Sequence, residues 1–239
     1  MKNRTTQPHE EVPPGEMEWI HKVLRAGLCR PNTILATYGI TRRVIEDQIP
    51  GDLVECGVFA GAQTAVMAHV CQGFGDGQRR VHLFDSFQGI PHAGKRDGDN
   101  IDGTLFSHGR DDALISSGIA SCSLEQVVTN MANWQVRGER LIFHSGWFQN
   151  TVMNAVPELR KTGIAVLRLD GDLYTSTKVC IEAFLSLLTP GGYLIIDDWA
   201  LSGCRAACIE AMGDIEVIEI PKGGGPVYWQ KPKAETKVL

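Results

Sequence analysis

The 239-residue chain has seven cysteines but no Cys-x-x-Cys pair. An odd number of scattered thiols implies reduced cysteines and a cytoplasmic setting. There is no basic excess: 23 Lys and Arg stand against 28 Asp and Glu, a net charge of -5. No nucleic-acid surface is expected from that balance. No apolar run approaches the roughly 18 residues of a membrane helix. The opening MKNRTTQPHEEVPPGE has no apolar core, so no signal peptide is expected. Also absent are G-x-G-x-x-G, a Gly-Lys-Ser/Thr loop, H-E-x-x-H and G-x-S-x-G. These gaps count against nicotinamide dinucleotide, nucleoside triphosphate, zinc-protease and serine-hydrolase sites.

What is present is ordinary globular material, 43% hydrophobic and 21% charged, enough for one α/β domain with a sizeable core. Residues 1–15 are polar and Pro-rich and are expected to form a mobile arm. Helical spacing marks 17–28, where Trp19, Ile20, Val23 and Leu24 recur, and about 32–48, before Pro50-Gly51. Short apolar runs then alternate with helical patterns. Strands are predicted at 53–56, 81–84, 141–144, 165–169, 193–196, 215–220 and 227–230. Helices are predicted at 63–71, 123–134, from a Thr175-Ser176-Thr177 cap to Pro190, and at 203–212. The pattern predicts a doubly wound, mostly parallel sheet with helices on both faces. Residues 1–50 form an N-terminal arm and lid helices, 51–231 the main domain, and 232–239 a flexible tail.

In such sheets ligands bind beyond the carboxyl ends of the strands, so the residues that end strands carry the argument. Strand one runs into Glu55-Cys56-Gly57-Val58-Phe59-Ala60-Gly61. Its glycines let backbone approach a ligand beside a helix N-terminus, or simply form a tight turn. Strand two ends in Asp85-Ser86, where a carboxylate suits a ribose diol or a solvated turn. Strand three ends in His144-Ser145-Gly146-Trp147-Phe148, whose aromatics can wall an adenine pocket or close the core.

The densest feature is Asp170-Gly171-Asp172 after strand four and Asp197-Asp198 after strand five. Neighbouring strands lie about 4.8 Å apart, and carboxylates that close oppose one another. A hard divalent cation compensates them. Asp197 and Asp198 can share one ion only if the chain leaves the strand there. The long loop 92–112 has Asp97, Asp99 and Asp102, but Ile101 and His108 occupy positions where a calcium loop needs ligands. Cys204 and Cys208, one helical turn apart, are expected to be core thiols.

Taken in order, GDLVECGVFAG, VHLFDSFQGIP, FHSGWFQNT, LRLDGDLYTST, LTPGGYLIIDDW and VYWQK resemble the macrocin O-methyltransferase family over about residues 37–231. The resemblance implies a class I methyltransferase fold, a seven-stranded sheet whose last strand is antiparallel. It implies S-adenosylmethionine as donor, Mg2+ at the acceptor, and a sugar hydroxyl on a natural product as acceptor. Carried over by position, Glu55, Gly57 and Gly61 surround the donor's amino-acid portion, and Asp85 takes the ribose with Ser86 beside it. Ser145, Gly146 and Trp147 lie near the adenine. Asp170, Asp197 and Asp198 hold the metal, and Asp172, with Asp170, is catalytic as the base. Phe59-Ala60 departs from the family's more frequent Trp-Arg, and the 92–112 loop matches no family pattern. The resemblance and the apolar N-terminal helices, Leu28 included, suggest a homo-oligomer, with no nucleic-acid or membrane partner. Two other classes share the sheet: a nucleotide-dependent oxidoreductase and a binding module without catalysis.

Overall fold

The computed structural model describes residues 6–98, 114–213, 215–222 and 224–233. Most of the expected tail, 234–239, and most of the 92–112 loop lie outside the described residues. Apolar β-branched runs form the sheet: β1 Asp52–Cys56, β2 Val81–Asp85, β3 Leu141–Ser145, β4 Ile164–Leu169, β5 Leu188–Ile196, β6 Ile218–Glu219 and β7 Val227–Gln230. Their order is β3-β2-β1-β4-β5-β7-β6. β1 to β5 pair in parallel, and β7 runs antiparallel to β5. Buried on both faces, β1 and β4 have no polar alternation. The strand order reverses between β1 and β4, where a ligand crevice is expected.

Seven α-helices occur among the described residues: α1 Met17–Leu24, α2 Pro31–Glu46, α3 Ala62–Gly73, α4 Leu124–Asn133, α5 Phe148–Thr162, α6 Tyr174–Phe184 and α7 Ser202–Met212. None is long and apolar enough to cross a membrane. The α4 start follows its sequence cue, since Ser123 Oγ accepts the Gln126 N–H at 3.2 Å. Other expectations need correction. α5 has no counterpart in the sequence reading, because Pro157 interrupts an otherwise helical pattern. α1 ends four residues short of Leu28. The strand expected over 215–220 is limited to Ile218–Glu219. Thr175, Ser176 and Thr177 do not cap α6, whose N-cap position is Leu173. Ser176 and Thr177 are instead buried inside the helix.

The N-terminal segment is not a loose arm from residue 6 onward. Arg43 Nη2 donates to Thr6 O at 2.6 Å and pairs with Glu11 Oε1 at 2.8 Å. Tyr228 donates to Gln7 Oε1 at 2.9 Å. Gly39 leaves room for Pro8, whose carbonyl oxygen would lie 1.9 Å from any Cβ there. α1 and α2 share one core with the sheet: Ile20, Val23, Ile34 and Val44 pack in the cluster that holds Leu53, Val66 and Ile195. Trp19 stacks on His69 at 3.9 Å and donates to Trp134 O. The apolar surface on which self-association was expected is therefore consumed inside the chain, leaving Leu28, 74% exposed. All seven cysteines are free, and Cys204 and Cys208 are buried as expected.

Beneath α5, His144 stacks on Phe84 at 4.0 Å and meets His82 Nδ1 at 3.0 Å. His82 in turn faces Asp52, which pairs with Arg80. Burial and the neighbouring His82 ring push the His144 pKa down to about 4. An unfolded histidine titrates near 6.5. Between these values the unfolded chain binds a proton that the folded chain refuses, so this group's stabilisation is lost as pH falls. Buried carboxylates such as Glu55, raised to about 7, act oppositely in that window. The readout is therefore a comparison. His144→Phe keeps the ring stack and removes the titration. Urea unfolding at pH 7 and pH 5 should show the parent losing on the order of 1 kcal/mol more than the variant, discounted for partial exposure. Equal losses would exclude His144 as the cause.

Candidate active site

A cavity of about 500 Å³ opens at the carboxyl edge where β1 and β4 part. Its floor is set by close backbone contact. The Asp170 N–H donates to Cys56 O at 2.8 Å. Any Cβ at Gly57 (φ +92°) would meet Asp170 O at 1.7 Å, so only glycine serves there.

The centre of the site is an arginine that the sequence reading did not single out. Arg168 lies in β4, in register with Glu55 of β1, and is fully buried. Its Nη1 donates to Asp170 Oδ2 at 2.9 Å and its Nη2 to Asp197 Oδ1 at 2.5 Å. Its Nε lies 3.8 Å from Glu55 Oε1. Glu55 also accepts from Thr64 Oγ1. Burial pushes Glu55 up to about 7, against the pull of Arg168 and Thr64. The cue was available: a lone charge inside the apolar run Ile164–Leu169 needs partners.

The four sequence-predicted aspartates all line the cavity. β4 and β5 are parallel neighbours as expected, and the chain leaves β5 after Ile196. Ligand atoms of Asp170, Asp172 and Asp198 lie within 4.8 Å of one another. Asp172, at φ +56°, donates its N–H to Asp198 Oδ2 at 2.8 Å. Asp197 is set apart by its bond to Arg168, although its Oδ2 accepts no hydrogen bond among the described residues. Burial, then mutual repulsion, holds Asp170 and Asp198 well above the carboxylate range. Asp172 is pushed up to about 7 by burial, Asp197 and Asp97. An all-oxygen, strongly acidic donor set with room beside it fits a hard divalent cation.

Asp97 is a second residue the sequence reading misplaced. Not a calcium ligand, as its loop pattern foretells, it is 3% exposed and caps α6, accepting the Tyr174 N–H at 2.6 Å. It also accepts the Gly94 N–H and receives Ser202 Oγ on its carbonyl.

Among the expected donor residues, Glu55, Gly57, Asp85, Ser86 and Trp147 line the cavity, while Gly61, Ser145 and Gly146 are not among its lining residues. Asp85 Oδ2 accepts the N–H groups of Val58 at 2.7 Å and Phe59 at 3.1 Å, and Oδ1 that of Phe87 at 2.7 Å. Asp85 thus ties down the glycine turn, and burial lifts its carboxyl above the ordinary value despite those donors. Ser86 donates to Gly89 O at 3.0 Å. Phe148 both lines the cavity and packs on the core. Cys29 also lines it, its thiol pushed up to about 11 by burial.

The model of the macrocin-O-methyltransferase (TylF) family matches residues 36–223. The chain belongs to the macrocin-O-methyltransferase family. Its reaction class is O-methyl transfer, which sets aside the oxidoreductase reading. A family relative from Streptomyces olivaceus, 8-demethyl-8-(2,3-dimethoxy-alpha-L-rhamnosyl)-tetracenomycin-C 4'-O-methyltransferase, is 36% identical over 82% of this chain and 72% of that protein. Demethyldecarbamoylnovobiocin O-methyltransferase from Streptomyces niveus is 36% identical over 80% of this chain and 70% of its own length. The solved O-methyltransferase NovP superposes with a TM-score of 0.71 at 32% identity, covering 85% of this chain and 81% of that one. The class I fold expected from the sequence is the fold observed.

Removing the buried cation tests how the site is held together. Arg168→Met should lower stability by about 3–5 kcal/mol, since it strands buried carboxylates. Arg168→Lys keeps a charge without the fork and should lose less. Urea unfolding measures both, and a parent-like Arg168→Met would show that the carboxylates do not depend on this cation.

Proposed function

We propose that the protein transfers a methyl group from S-adenosylmethionine to a sugar hydroxyl of a natural product, with Mg2+ at the acceptor. The observation that carries this reading is one cavity that brings two sets of residues together. The glycine turn with Glu55 and Asp85, and the four aspartates after β4 and β5, line the same cavity. The rhamnosyl group in the name of the tetracenomycin relative supports a sugar acceptor.

Glu55, Gly57 and Gly61 surround the donor's amino-acid portion, Asp85 and Ser86 its ribose, and Ser145, Gly146 and Trp147 its adenine. The donor brings an electrophilic methyl on a sulfonium, so the chain's task is to orient it and activate the acceptor oxygen. Asp170, Asp197 and Asp198 would hold the cation, which when bound makes an acceptor hydroxyl more acidic. Asp172, beyond the Gly171 turn, takes the hydroxyl proton. The acceptor oxygen gains the methyl as the carbon–sulfur bond breaks and sulfur keeps the electron pair. Arg168 holds Asp170 and Asp197 by one oxygen each, leaving the others for the cation.

Two measurements test these roles. Asp172→Asn keeps the shape and removes proton acceptance. Turnover should fall about 10²–10⁴-fold, unrelieved by extra magnesium, while magnesium restores part of the loss in Asp198→Ala. Recovery of Asp172→Asn by magnesium would make Asp172 a ligand instead, as its place beside Asp170 and Asp198 permits. Separately, Asp85→Ala should weaken S-adenosylmethionine binding tenfold or more, about 1.4 kcal/mol. Parent-like calorimetry of both Asp85→Ala and Glu55→Ala would place the donor elsewhere.

A further inference from the structure

Buried polar side chains almost always find hydrogen-bond partners, and one left alone costs on the order of 1–3 kcal/mol. Two residues lining the cavity break this rule. Gln63, 4% exposed, has neither Oε1 nor Nε2 partnered, and Thr33, 1% exposed, has an unpartnered Oγ1. They come from different elements, Thr33 from the first turn of α2 and Gln63 from the first turn of α3. Both border the same cavity as Glu55.

The setting specifies what is missing. α3 begins at Gly61, which has no side chain to cap it. Among the described residues, the N–H groups of Ala62, Gln63 and Thr64 have no backbone acceptor. Those donors, with the positive end of the helix, favour an anion. Glu55 nearby favours a cation. An amide offers a donor and an acceptor on one side chain, and a hydroxyl offers either. A zwitterion, with a carboxylate and an ammonium a few ångströms apart, answers every one of these groups. A plain anion would leave Gln63 Oε1 orphaned and would stand against Glu55.

We propose that Gln63 and Thr33 hold the α-amino-acid end of the methyl donor. This assignment rests on the donor reading above and extends it to α2, an element outside the sheet. Gln63 Nε2, Thr33 Oγ1 and the first-turn N–H groups of α3 donate to the donor's carboxylate. Gln63 Oε1 and Glu55 accept from its ammonium. Both are positioning residues, since neither touches the transferred methyl.

The test compares three probes by calorimetry: S-adenosylmethionine, S-adenosylhomocysteine and 5'-methylthioadenosine. The last keeps the nucleoside and lacks the amino-acid end. In Gln63→Leu, affinity for the first two should fall tenfold or more, while affinity for methylthioadenosine stays within twofold of the parent. Thr33→Val should show the same pattern with a smaller loss, and serves if Gln63→Leu fails to fold. Without ligand, Gln63→Leu should melt at or above the parent temperature, because it removes two orphaned atoms. A residue that merely supported the fold would lower the melting temperature and weaken all three probes together, which overturns the assignment. So does parent-like binding of S-adenosylmethionine by both variants. A parent that binds methylthioadenosine and S-adenosylmethionine equally overturns the amino-acid subsite but keeps the donor pocket. One that binds none of the probes overturns both readings.

Discussion

The structure turns on a single guanidinium. Arg168 stands in the middle of a parallel sheet, out of reach of water, with carboxylates from β1, β4 and the end of β5 around it. An isolated charge there would be untenable. Three acids on neighbouring strand ends would also repel one another. Each problem answers the other, and the outcome fixes strand register and side-chain direction at the edge where chemistry is expected. The balance is incomplete: more acid than base faces the cavity, so Asp170, Asp172 and Asp198 remain held above the carboxylate range. That surplus is a reason for a divalent cation to settle there.

Much of this was legible in the sequence, for reasons that can be named. Strands β1, β2 and β4 are short apolar runs that end at a glycine or an acid, so their ends were plain. The strand-terminal acids were found because a parallel sheet directs its carboxyl ends toward ligands. Arg168 lies inside a strand and not at its end, and its partners are spread over three strands: Asp170 beside it, Asp197 after β5, and Glu55, 113 positions earlier but in register across the sheet. Asp97 escaped because its partner, the Tyr174 N–H, is 77 residues away, and nothing local indicates such a contact. α5 was masked by Pro157. The N-terminal segment looked unstructured because proline and polar residues dominate it. Its order comes from Arg43 and Tyr228, which no local pattern connects to Glu11 and Gln7.

Gln63 and Thr33 are a different case. Their types are unremarkable in a helix, and only burial without a partner sets them apart. The cavity extends past the glycine turn to Thr33 of α2, a helix that shares one core with the sheet.

The capping of α6 by Asp97 bears on how the chain folds. A helix that carries its own cap can form its first turn alone, but α6 borrows its cap across 77 residues. Closing so long a loop costs entropy before any contact repays it. The start of α6, and with it the Asp172 turn just ahead, is therefore completed only when the segment carrying Asp97 docks on it.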